Sequence, residues 1–272
     1  MKYSFLNYNE YTLPYLTFGN GDELLFAFHG FGRSAVDFQI FELTLGKKYT
    51  IVAFDLFYHG EHAIDLEMEL PAFEPSAMAR IIERYLWEHK RVNFSLIGYS
   101  FGGKIALGIV QKMSHRVNEI FLLAPDGLVK KPLQFFVSNT MFGNWILSGV
   151  VRNPKWLFAV NNFMLRWKLI HPKVDEFIHS KLATIEYRRL VYRIWLTFRF
   201  YHPQLNTIAK QINRRKIRTI LFFGNKDFII PLHAGVSFQK KLRNIEALVV
   251  LDCGHRLLHK SDEIAKIILS KR

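Results

Sequence analysis

Through its first 126 residues, and again from about Arg218 to the end, the chain alternates short apolar runs with amphipathic stretches; between these two parts the alternation stops. Such alternation is what buried strands linked by crossover helices require, because a parallel pair cannot be closed by a tight turn. It predicts an α/β class protein built on one mostly parallel sheet. The expected strands are Lys2 to Tyr8, Tyr11 to Phe18, Leu24 to Phe28, Thr50 to Phe54, Phe94 to Ile97, Glu119 to Leu123, Thr219 to Phe223 and Ala247 to Leu251. Between them, Met78, Ile81, Ile82, Tyr85 and Leu86 recur at helical spacing within Glu74 to Glu88, and Ser261 to Leu269 closes the chain in the same way. A chain of 272 residues, half of them hydrophobic, suits one large core carrying an insertion better than two independent domains. The reading is therefore a core over 1–127 and 218–272 with a helical cap inserted over 128–217.

The insertion differs from the core in charge. Lys130 to Arg218 holds 17 of the 37 Lys and Arg but 3 of the 23 Asp and Glu, so it carries the whole formal net charge of +14 while the remainder is neutral. A cationic, aromatic-rich segment on a neutral scaffold points to an anionic ligand, a phosphate or peripheral contact with an acidic membrane surface; a solvated basic helical face is the alternative. Nucleic acid is disfavoured as a partner, because the segment is apolar and aromatic between its charges instead of continuously basic. Pro132 to Val151 is free of charge for twenty residues, yet Gln134, Ser138, Asn139, Asn144 and Ser148 make it too polar for a membrane span. Helices covering a pocket are the expectation, with Phe135, Phe136, Phe142, Trp145, Trp156, Phe158, Phe163, Trp167, Trp195, Phe198 and Phe200 available to line it, and packing of most of them as core the plainer alternative. The first fifteen residues show no apolar run behind a basic head, which predicts a cytoplasmic location. Cys253 is the one cysteine, so no intramolecular disulfide can form; it is expected to be a small buried residue. The histidines show no paired spacing that suggests a metal.

Four strand ends carry the chemistry. Phe94 to Ile97 runs into Gly98-Tyr99-Ser100-Phe101-Gly102-Gly103 and then into a helix, the strand-turn-helix setting of a G-x-S-x-G nucleophile elbow. The serine of such a turn sits on strained backbone that needs neighbours without Cβ. The strand Leu24 to Phe28 ends in His29-Gly30-Phe31-Gly32, and we assign an oxyanion hole to the main-chain N–H groups of Phe31 and Phe101. Thr219 to Phe223 leads to Asp227, and Ala247 to Leu251 leads to His255. A serine hydroxyl is a poor nucleophile until an imidazole takes its proton, and a carboxylate must fix the imidazole's tautomer. Ser100 as nucleophile, His255 as base and Asp227 as orienting acid form the candidate triad, with Asp126 the reserve acid. Asp252 is expected to serve the strand exit or to cap the next helix.

On these residues, and on Asp55 to Gly60, the chain resembles the α/β-hydrolase fold superfamily. The resemblance implies an eight-stranded, largely parallel sheet with a helical lid after the sixth strand, and hydrolysis through a covalent acyl-enzyme without a cofactor. Asp55-Leu56-Phe57-Tyr58-His59-Gly60 is similar to the family's Asp-x-x-Gly-His-Gly loop, except that Tyr58 replaces a glycine. Asp55 and His59 are read as structural. Ser100 at the elbow argues against the branches that place a carboxylate there, so the expected substrate is a small-molecule carboxylic ester or thioester, which Arg152, Arg166, Arg188, Arg189, Arg193 and Arg199 would suit if it were anionic. Two alternatives stand beside this reading. Small capped members resembling menaquinone-pathway synthases use the same triad for elimination, and a non-catalytic binding protein would keep the triad as a vestige.

Overall fold

The computed structural model describes residues 2–129, 131–170, 172–243 and 245–270, apart from the side chains of residues 173, 174, 177 and 245. Eight strands, β1 (Ser4–Tyr8), β2 (Tyr11–Phe18), β3 (Glu23–Phe28), β4 (Tyr49–Phe54), β5 (Phe94–Tyr99), β6 (Val117–Leu123), β7 (Arg218–Gly224) and β8 (Ile245–Leu251), pair in the order β1-β2-β4-β3-β5-β6-β7-β8. β2 runs antiparallel to both β1 and β4; every other pairing is parallel. Burial follows strand position. Every residue of β5 is buried, as its mostly apolar run requires of a strand covered on both faces, whereas the edge strand β1 buries Leu6 alone. The strands β3 to β8 thus deliver the residues that follow them to one edge of the sheet.

The helices are α1 (Glu42–Leu45), α2 (Pro75–Glu88), α3 (Phe101–Met113), α4 (Pro132–Asn139), α5 (Met141–Arg152), α6 (Lys155–Arg166), α7 (Pro172–Leu182), α8 (Ile185–Thr197), α9 (Leu205–Arg215), α10 (Leu232–Gln239) and α11 (Ser261–Ser270). Two compact units result, one within positions 1–63, 74–129 and 201–272, the other within 64–73 and 130–200. α9, which the sequence reading put in the insertion, groups with the sheet. Its stripe Ile208, Ala209 and Ile212 is buried, Gln211 bonds the Gln111 carbonyl of α3, and Tyr201 bonds the Ile105 carbonyl. The opposite shift occurs at 64–73, because Arg193 of α8 reaches Leu66 O (2.6 Å), Glu67 O (2.9 Å) and Glu69 Oε1 (2.5 Å).

The charge-free run Pro132 to Val151 is divided at Thr140, whose extended backbone ends α4 while its hydroxyl accepts from Gly143 N (2.9 Å) and starts α5. No helix of the described residues is long and apolar enough to cross a membrane. Many aromatic residues of this second unit are not packed as core, which removes the plainer of the two sequence readings for them: Phe135, Phe136, Phe142, Trp145, Trp156, Phe163, Trp167 and Phe200 are all exposed. Helical periodicity fixes which residues share a face, and only the fold decides what that face meets.

At the amino ends of the strands the sheet is tied by charge. Glu119 of β6 receives Arg218 Nη1 of β7 (2.7 Å) and the Tyr49 hydroxyl of β4 (2.5 Å), and Arg218 also pairs with Glu246 of β8. Burial pushes the Glu119 carboxyl up, but the Tyr49 and Arg218 hydrogen bonds outweigh it and hold the group below its usual range.

Candidate active site

The backbone at the end of β5 explains its glycines. Ser100 has φ +51° and ψ −114°, strained for any residue with a side chain. A Cβ on Gly102 would lie 1.9 Å from Phe28 O, and one on Gly98 would lie 2.6 Å from Gly102 O, so β3, β5 and α3 can approach only without them. The turn is then held by Ser100 N on Leu123 O (2.9 Å) and by Gly103 N and Asp126 N on Ser100 O (2.9 and 2.7 Å).

Three strand ends meet at the Ser100 hydroxyl. His255, after β8, places Nε2 at 2.9 Å from Ser100 Oγ and Nδ1 at 2.7 Å from Asp227 Oδ2, after β7. The second carboxylate oxygen of Asp227 accepts from Ile229 N (2.8 Å) and Ile230 N (3.0 Å), so the buried carboxylate is locked from both sides. A carboxylate at Nδ1 assigns the proton to that nitrogen and leaves Nε2 as the acceptor facing the serine. The β7 and β8 exits are themselves laced together by Asn225 N on Leu251 O and Lys226 N on Cys253 O, both 3.0 Å. Asp126 instead turns its Oδ1 back to Gly127 N (2.7 Å), and the acid beside His255 is Asp227.

Phe101 is the first residue of α3, next to Ser100. Phe31 lies in the turn after β3, whose Gly30 borders the site: a Cβ there would sit 3.4 Å from Ser100 Cβ. That turn is pinned to the Asp55–Gly60 loop by three bonds, Leu56 N to His29 Nε2 (3.0 Å), Gly32 N to His59 Nε2 (2.9 Å) and Ala35 N to Asp55 Oδ1 (2.6 Å). Because main-chain N–H groups donate to both Nε2 atoms, each imidazole carries its proton on Nδ1, facing Gly30 O for His29 and Phe57 O for His59 (2.7 and 2.8 Å). The His29 Nε2 to Asp55 distance of 4.0 Å is therefore not an ion pair, since burial pushes the His29 pKa well below the usual range. Burial likewise lowers His59 to about 4. Tyr58, in the place of the family's glycine, keeps a glycine-like φ of +64°.

Tyr99 is a residue that sequence reasoning passed over. Its hydroxyl donates to the His255 carbonyl (2.7 Å), its ring lies 5.5 Å from the imidazole, and burial lifts its pKa to about 12, so it remains a donor. The only signal was its position inside the elbow motif. Arg33 packs 5.9 Å from that ring and pairs with Asp37. Cys253 is partly exposed, not buried as expected, because it lies in the exit turn beyond β8. Asp252 pairs with Lys226 and Asn225 at the strand exit (2.7 and 3.0 Å) and caps no helix. Among the expected anion-binding arginines, Arg188 is spent on three carbonyls, and Arg189 and Arg193 pair with Glu67 and Glu69. His171 lies outside the described residues, and no metal-binding cluster occurs among the described ones.

The sequence model of the alpha/beta hydrolase family matches residues 24–267. The chain is 22% identical over 247 residues to the uncharacterized hydrolase YugF of Bacillus subtilis, covering 90% of this chain and 87% of that protein. It is 23% identical over 279 residues to 2-hydroxy-6-oxo-6-(2'-aminophenyl)hexa-2,4-dienoic acid hydrolase of Metapseudomonas resinovorans, covering 98% and 89%. Among solved structures, a thermophilic esterase from Thermogutta terrifontis superposes with a TM-score of 0.69 at 16% identity, covering 99% of this chain and 97% of that one. At that identity the likeness speaks to the fold.

Proposed function

The chain belongs to the alpha/beta hydrolase family, and from that membership we propose that it is a serine hydrolase cleaving a small-molecule carboxylic ester or thioester. The observation that carries the proposal is the continuous relay Ser100 Oγ to His255 Nε2 (2.9 Å) and His255 Nδ1 to Asp227 (2.7 Å). In this reading His255 takes the Ser100 proton as Oγ attacks the acyl carbon, and Asp227 stabilises the resulting imidazolium. The main-chain N–H groups of Phe31 and Phe101 receive the oxyanion of the tetrahedral intermediate. Collapse expels the alcohol or thiol, which takes its proton from His255. Water, deprotonated by the same imidazole, then attacks the acyl-Ser100 ester and releases the acid. The cycle uses no cofactor. An anionic acyl substrate has support in the relative named for a hexadienoic acid.

The test is turnover of p-nitrophenyl esters and acyl-CoA thioesters of increasing chain length by the native chain and by Ser100→Ala. We expect hydrolysis by the native chain and a loss of about a thousandfold or more in the variant. Equal turnover by the two would sink the serine mechanism. Absence of hydrolysis together with an elimination product from an anionic substrate would put the lyase reading first.

A further inference from the structure

α6 packs through a half-buried face that includes Leu157, Phe158, Met164 and Leu165, with Phe158 stacked on His179 of α7, and it carries a second apolar stripe that faces outward. This outward stripe, Trp156, Val160, Phe163, continued by Trp167, is exposed throughout, from 44% at Trp156 to 64% at Trp167. The residue α6 buries is Asn161, whose amide donates to the Asp175 carboxylate of α7. On α5, Met141 is 93% exposed, beside exposed Phe142 and Trp145, whose rings stack at 5.9 Å. Phe136 of α4 joins them, 6.4 Å from Phe142. Apolar exposure on this scale over three successive helices, and above all the continuous stripe of α6, marks a face that meets something.

The charges say what. Lys155 and Arg166 sit one angular step from the α6 stripe, each adjacent in sequence to one of its tryptophans, and Arg152 and Lys168 are exposed at its two ends. No acidic residue occurs between Asp126 and Asp175, so these cations have no countercharge within the three helices. Tryptophan and phenylalanine flanked by Lys and Arg are the side chains that settle at the boundary of headgroups and acyl chains, with the cations on anionic headgroups. Two copies of this chain meeting through the face would oppose two cationic surfaces, which disfavours self-association. At twelve residues, α6 is about 18 Å long, too short for a ~30 Å hydrocarbon core and suited to lying along its boundary.

We propose that the outward face of α6 docks on an anionic phospholipid bilayer, with Phe163 and Trp167 inserted and Lys155 and Arg166 on the headgroups. The test is co-sedimentation of the full chain with vesicles of phosphatidylcholine alone and with phosphatidylglycerol added. It reads binding, not turnover, so it is independent of the role of Ser100. The chain is expected to sediment with the anionic vesicles and to be released by salt. The variant F163S/W167S should lose about tenfold or more in partitioning, and K155Q/R166Q about fivefold for each charge removed. All four side chains are exposed, so thermal unfolding should stay at the native temperature, which separates lost docking from lost folding. Equal sedimentation with both vesicle types, unchanged binding by both variants, or no binding at all would overturn the proposal. So would concentration-dependent self-association that F163S/W167S abolishes while vesicles capture nothing.

Discussion

Acidification should unfasten the turn that carries Phe31 before it reaches the carboxylates of the sheet. His59 is buried with Nε2 occupied by the Gly32 N–H, so a second proton has no acceptor there and meets another donor. Burial accordingly takes its pKa from the ordinary 6.5 down to about 4. The unfolded chain binds this proton more readily than the folded one. The stabilisation is therefore complete above pH 6.5, where both states are neutral, and is lost as pH falls toward 4. Between about pH 7.5 and about pH 5 the linkage amounts to about 2 kcal/mol for this one group. His29, lowered for the same reason, acts in the same direction. Urea unfolding of the native chain and of His59→Gln at the two pH values isolates the term, because the glutamine oxygen can still accept from Gly32 N while nothing there titrates. The variant should lose about 2 kcal/mol less than the native chain over that interval. An identical pH sensitivity in the two proteins would refute the assignment of a buried neutral His59.

Asp227→Asn should lower kcat by about 10⁴ by giving His255 the wrong tautomer, while Asp126→Asn should leave steady-state hydrolysis near native; a loss at Asp126 equal to that at Asp227 would reassign the acid. Ser100→Gly should abolish turnover yet gain about 1 kcal/mol from relief of the positive φ, seen as a higher thermal midpoint. Tyr99→Phe should reduce kcat about fivefold with little change in KM, because it removes a hydrogen bond of about 1 kcal/mol from the His255 carbonyl, which then keeps the one from Leu257 N; a change confined to KM would argue for substrate contact instead. Tyr58→Gly relaxes a left-handed backbone but empties a buried site, and a net loss of about 2 kcal/mol in urea unfolding is expected, the cavity outweighing the strain.

The sheet was legible because a strand buried on both faces must be apolar over most of its length, and the apolar runs ending at Phe28, Phe54 and Leu123 fit nothing else in that alternation. Ser100, Asp227 and His255 were legible for a related reason: each follows such a run, and the parallel sheet gathers those ends at one edge. The surroundings were not. The bond from Tyr99 to the His255 carbonyl spans 156 positions and has no local signature. The boundary of the insertion was misread at α9, since its amphipathic stripe specifies that one face is buried and does not name the partner. The same ambiguity hid the outward stripe of α6. Tyr58 shows the limit of motif reading from the other side, for the loop keeps its glycine-like turn around a residue that strains to adopt it.

The ion network of Tyr49, Glu119, Arg218 and Glu246 lies at the opposite ends of the strands from the relay at Ser100. Four strands are stapled at one rim, so the exit turns at the other rim can lengthen, shorten or change residue without asking the sheet to refold. For an engineer, the two rims are separately addressable: thermal tolerance is to be sought around Arg218, and altered selectivity in the turns beyond Phe28, Gly224 and Leu251.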